Sequence, residues 1–93
     1  AEARALADAV DAAGVVAGDL AATDGIGALW ARACNVAGEP IGALVNSASE
    51  FAFDRPEAID VTLAARLYAV NCTAPVLLAS AMAAQGGAGV VVN

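Results

Sequence analysis

A short apolar run, Gly42-Ala43-Leu44-Val45, stops abruptly at Asn46-Ser47-Ala48-Ser49. No other stretch of this chain restricts the possible folds as sharply. A continuous apolar run of this length reads as a strand covered on both faces, the habit of parallel sheets. Where such a strand ends in small polar residues, a ligand can lie close against the backbone. Two more short runs, Val15-Val16-Ala17-Gly18 and Val90-Val91-Val92, alternate with helical patterns. The resulting order, α-β-α-β-α-β, predicts an α/β fold with a parallel sheet and right-handed crossovers.

The helices follow from spacing and punctuation. Ala1 to Ala13 has helical periodicity, with Gly14 as its cap. Thr23 or Asp24 caps a second helix that runs to about Ala37, with Leu29, Trp30 and Cys34 along it. This places Gly25 and Gly27 in its first turn rather than in a phosphate-binding loop. Gly38-Glu39-Pro40 breaks the pattern before the strand Ile41–Val45. After a loop from Ser47 to about Phe53, Asp54 and Arg55-Pro56 read as the start of a third helix, Pro56–Ala84. Gln85-Gly86-Gly87-Ala88-Gly89 is a turn.

That third helix contains Asn71 and, four residues later, Pro75. A helical carbonyl accepts from the N–H four residues on, and proline has none. The Asn71 carbonyl is thereby freed for a water or a side chain. The plain alternative is a kink with Asn71 as a satisfied core residue.

Composition excludes several roles. The net charge is −6, and the basic residues are Arg4, Arg32, Arg55 and Arg66, with no lysine and no histidine. Four scattered arginines make no phosphate-tracking patch, which argues against nucleic-acid binding. Cys34 and Cys72 are far apart and lack histidine partners, so no metal site is expected. Both read as free thiols of a cytoplasmic protein. No charge occurs from Leu67 to Asn93, but Asn71, Pro75, Gln85 and Gly86-Gly87 interrupt that stretch, so the expected reading is no membrane span. A helix so poor in charge calls for cover beyond a sheet; a homo-oligomer, dimer or tetramer, through Pro56–Ala84 is the expectation.

On these residues the chain resembles the short-chain dehydrogenase/reductase family. Asp19-Leu20 follows a short strand, where the family places an acid against the adenine ring. Asn46-Ser47-Ala48-Ser49 stands where the family has Asn-Asn-Ala-Gly, and Asn71 where it has its helical active-site asparagine. The resemblance spans essentially the whole chain. It implies the central portion of a Rossmann-like doubly wound parallel sheet, with strand order 3-2-1-4-5-6-7. It also implies an NADP- or NAD-dependent oxidoreductase that moves a hydride to or from a small-molecule carbonyl, alcohol or pterin-like imine. Asn71 is then the catalytic residue, its carbonyl holding a water that links to a lysine. Asp19, Leu20, Asn46, Ser47, Ala48 and Ser49 line the cofactor. Ser47 and Ser49 depart from the commonest motif; the Asn-Xaa-Ala-Ser form, with Phe51 after it, is similar to the pteridine reductase branch.

The family's glycine-rich loop and its Tyr-x-x-x-Lys pair do not occur in these residues. Tyr68 is followed four residues on by Cys72. The expectation is therefore a segment, inactive alone and not autonomously folded, of a chain of about 250 residues. Two other readings stand beside it. One is a non-catalytic nucleotide-binding scaffold. The other is a phospho-receiver module with Asp19 as acceptor and Ser47 or Ser49 as its hydroxyl partner.

Overall fold

The computed structural model describes residues 2–93. Helix α1 spans Glu2–Ala9. A single 3-10 turn, Thr23–Gly25, leads into α2, Ile26–Ala37. Strand β1 is Ala43–Val45. A long helical segment follows as α3 (Val61–Tyr68), a π turn (Ala69–Thr73) and α4 (Ala74–Ala84). Strand β2, Val90–Val92, pairs in parallel with β1 in the register Ala43↔Val90, Leu44↔Val91, Val45↔Val92.

Among the described residues, the doubly wound Rossmann-like sheet is not present. Helical residues make up 51% of the chain, and the described sheet has two strands of three residues each. The stretch expected as a further strand, Val15-Val16-Ala17-Gly18, forms no ladder. Instead it lies against α2. The Arg32 guanidinium donates to the Ala17 carbonyl at 2.9 Å, occupying an acceptor that a ladder would use. A Cβ at Gly14 would fall 2.6 Å from Val36 Cγ1, and one at Gly18 2.8 Å from Leu29 Cδ1. The two glycines let bare backbone press onto the helix, and side-chain packing takes the place of strand pairing.

Helix boundaries shift for local reasons. α1 stops at Ala9, short of Ala13, and Asp11 then takes the left-handed conformation at φ 55°. α2 closes as its pattern predicts: Gly38 sits at φ 72° and its N–H reaches Cys34 O. The third helix begins at Val61, not Pro56. Asp60 is its cap, its Oδ1 accepting from Leu63 N at 3.1 Å. Asp54 instead braces the preceding loop, accepting from Arg55 N at 2.8 Å and from Asp60 N at 2.9 Å.

Packing centres on α2 against α4, with α4 also resting on β1. The buried apolar residues are Ile26, Val70, Ala74 and Met82. The chain exposes 6533 Å², where a compact monomer of its mass exposes about 4,900 Å². Its radius of gyration is 15.1 Å, against about 12 Å for a compact domain of this length. Val61, Tyr68 and Val76 stand exposed along the helical segment. Among the described residues, Val61–Ala84 is one helix long and apolar enough, by length and composition, to cross a membrane. The π turn, Asn71 and Pro75 interrupt it near its middle.

Candidate functional site

The site assembles where the two parallel strands end. The register opposes Val45 and Val92, so the next residues, Asn46 and Asn93, emerge side by side. Asn46 N–H continues the ladder to Val92 O at 2.8 Å. Asn46 Nδ2 donates to Asn93 Oδ1, also at 2.8 Å. This side-chain bond ties the strand ends together without any part from Ser47. Asn93 was not foreseen as a site residue. Its signal lies in the sequence nonetheless: both strands are apolar triplets followed at once by asparagine.

Asn71 approaches from the helical segment. Its Oδ1 accepts from Glu50 N at 2.9 Å and its Nδ2 donates to Glu50 O at 2.8 Å. The side-chain amide thus clasps one backbone residue from both sides, as a neighbouring strand would. Glu50 lies in the loop that leaves β1.

The helix is deformed where Asn71 sits. Ala74 N–H reaches back five residues, to Ala69 O. Val70 O thereby loses its ordinary donor, and Asn71 O loses its own because residue 75 is proline. A proline ring also crowds the carbonyl four residues back, and the wider π turn relieves that crowding. Two consecutive carbonyls thus lack their i+4 donors in the middle of a continuous helical segment.

Between these elements lies an open cleft of about 440 Å³. Asn46, Asn71 and Asn93 line it together with the small residues Ala48 and Ala79. Cys72 and Pro75 complete that side.

The remaining expected residues are distributed differently. Ser47 and Ser49 are exposed beside the cleft rather than part of its lining, and Leu20 is half-buried. Asp19 folds onto its own turn, Oδ1 accepting from Ala21 N at 2.9 Å. That oxygen is also 3.8 Å from the Arg66 guanidinium. A phospho-receiver reading asks for acids around Asp19 to hold a cation; Asp19 faces an arginine instead. Among the described residues, no three His, Cys, Asp or Glu side chains are grouped to hold a metal ion.

Tyr68 lies one helical turn before Cys72. A hydrogen bond with Cys72, and repulsion between the two anionic forms, raise the phenol above its ordinary value of 10.0. A tyrosine that serves as a proton shuttle near neutrality needs the opposite shift. Tyr68 is not tuned for that task. No known protein-family model, curated protein or solved structure matches the chain.

Proposed function

We propose that this chain carries the asparagine-bearing part of an NAD(P)(H)-dependent oxidoreductase of the short-chain dehydrogenase/reductase type. One observation supports it above the others. Asn71 is set in a π turn, four residues before Pro75 and so without an i+4 donor for its carbonyl, beside a cleft at the C-terminal ends of two parallel strands. π turns of this kind are frequent at functional sites, and strand C-termini are where parallel β-structures gather ligands.

The cleft suits part of a nicotinamide dinucleotide. Its volume lies within the range of about 300–1,000 Å³ usual for small-molecule sites. Ala48 and Ala79 offer a flat apolar contact, and the three asparagine amides offer donors and acceptors at its edge. Bound there, the cofactor supplies the hydride. Asn46 holds the two strand ends together, and the exposed Ser47 and Ser49 are within the same loop to meet ribose hydroxyls. The Asn71 carbonyl, free of its helical donor, accepts from a water or a cationic side chain and so anchors a proton path. The reading assigns no proton donor among these residues: the sequence has no lysine, and the Tyr68 phenol is raised rather than lowered. The exposed face of Val61–Ala84 supplies the subunit contact of a cytoplasmic homo-oligomer.

The test uses the natural polypeptide that carries this sequence. Titration with NADPH and NADH, followed by reduced-cofactor fluorescence, should show saturable binding. Pro75→Ala returns an N–H to position 75 and re-engages the Asn71 carbonyl, so it should still bind dinucleotide while turnover of carbonyl or pterin substrates falls by about tenfold or more, the scale of a lost proton-path group. Absence of binding to either dinucleotide would sink the proposal.

A further inference from the structure

We infer that Arg66 is a positioning residue for Asn71, acting through Glu50; the functional consequence rests on the reading above, the structural coupling does not. Arg66 Nε donates to Glu50 Oε1 at 3.0 Å and stands 2.8 Å from Oε2. Glu50 Oε2 is shut off from solvent and makes no well-aligned hydrogen bond, so the guanidinium charge is what stabilises it. The backbone of the same residue is the one that Asn71 clasps. Glu50 is therefore gripped twice by one helical segment: its carboxylate by Arg66, its peptide groups by Asn71.

The π turn makes the double grip possible. Residues five apart point about 140° away from each other around a regular α-helix. A turn that closes over five residues brings such a pair toward one side. Arg66 and Asn71 are five apart, the π turn begins between them at Ala69, and both reach Glu50. Arg66 also reaches toward Asp19 at 3.8 Å, which links the turn after Gly18 to the same anchor. An exposed ion pair contributes little to global stability. Its effect here is local: it fixes the rotation of the loop residue on which the Asn71 amide is seated.

The experiment is hydrogen exchange and side-chain amide NMR on the natural polypeptide, in a cycle of Arg66→Ala, Glu50→Gln and the double variant. Glu50→Gln keeps the shape of the side chain, so one variant folds even if another does not. Each of the three should speed exchange of the Asn71 side-chain amide protons by about tenfold, the scale of one lost hydrogen bond, with the double no worse than either single. The Asn46 amide, held by Asn93 and not by Glu50, should keep its wild-type rate. Unchanged Asn71 exchange, additive effects in the double, or equal acceleration at Asn46 each overturn the inference. Where the polypeptide turns over a dinucleotide, kcat should fall in Arg66→Ala with KM for the dinucleotide unchanged. A polypeptide that binds no dinucleotide removes the functional reading and leaves the exchange result to decide the coupling.

Discussion

The stretch from residue 2 to 22 and the helical segment Val61–Ala84 are built from much the same residues, yet they end in different states. Among the described residues, none from 2 to 22 is buried, and Leu6 and Val10 each remain 64% exposed. In the second segment Val70, Ala74 and Met82 are buried, with Ala74 wholly covered. Both are alanine-rich and both contain helix. The difference lies in what stands opposite. α4 has α2 on one side and β1 on another, while α1 has no comparable neighbour among the described elements. Apolar composition supplies the capacity for burial, and topology decides whether it is used.

Paired truncations measure that contrast. Met82→Ala should destabilise the natural polypeptide by roughly 2–5 kcal/mol, because it opens a cavity under Gly89 in the packed half. Leu6→Ala should change stability by no more than about 0.5 kcal/mol, as for a surface site. Chemical denaturation of both variants checks the pair. Equal losses would mean that α1 is covered in solution and that the two regions do not differ.

The next largest effect should come from the residue joining the helical segment to the strand loop. Asn71→Ala removes both bonds to the Glu50 backbone and should cost about 1–2 kcal/mol, reduced from the fully buried case because the site is open. Asn71→Asp keeps the acceptor toward Glu50 N but loses the donor toward Glu50 O. Its second oxygen then faces the Glu50 carbonyl, so the loss should match or exceed that of alanine; a smaller loss than that of alanine would break the two-bond account.

Legibility in the sequence follows the same divide. Features set by local chemistry were readable: the end of α2 at Ala37, the glycines at its start, and the strands that finish at Val45 and Val92. Features set by competition between neighbours were not. Val15–Gly18 has strand composition, but a side-chain donor from Arg32 and the Leu29 and Val36 side chains claim it first. Reading a doubly wound sheet from alternation assumed that every apolar run finds a strand beside it. Asp54 with Pro56 has as good a helix-start signature as Asp60, and only the closed loop between them shows which one caps. Glu50 and Arg66 were invisible as site residues because their pairing spans 16 positions.

The two aspartates make a smaller and sharper test. Asp60→Ala should cost about 1 kcal/mol through loss of the Leu63 N–H bond at the head of α3. Asp54→Ala releases the loop but no helix terminus, so it should leave the helical circular dichroism unchanged while Asp60→Ala lowers the melting temperature of that signal. Reversed outcomes would restore the earlier helix start at Pro56.

The smallest effect separates the outer face of the helical segment from its buried one. Tyr68 is exposed, and its raised pKa comes first from the hydrogen bond with Cys72, then from charge repulsion by that thiol in its anionic form. A raised folded-state value means that the folded chain holds the phenol proton more tightly than the unfolded chain. The associated stabilisation is present below the unfolded value near 10.0 and is lost as pH climbs through the higher folded value. Solvent exposure keeps the energetic consequence minor, so the useful readout is the titration itself. With a single tyrosine in these 93 residues, ultraviolet absorbance of Tyr68→Phe against wild type isolates its phenolate signal. Cys72→Ala should move that midpoint down toward 10.0, since both leading causes reside in the thiol. A midpoint that stays high without Cys72 would show that desolvation sets it, and that this face of the helix is covered after all.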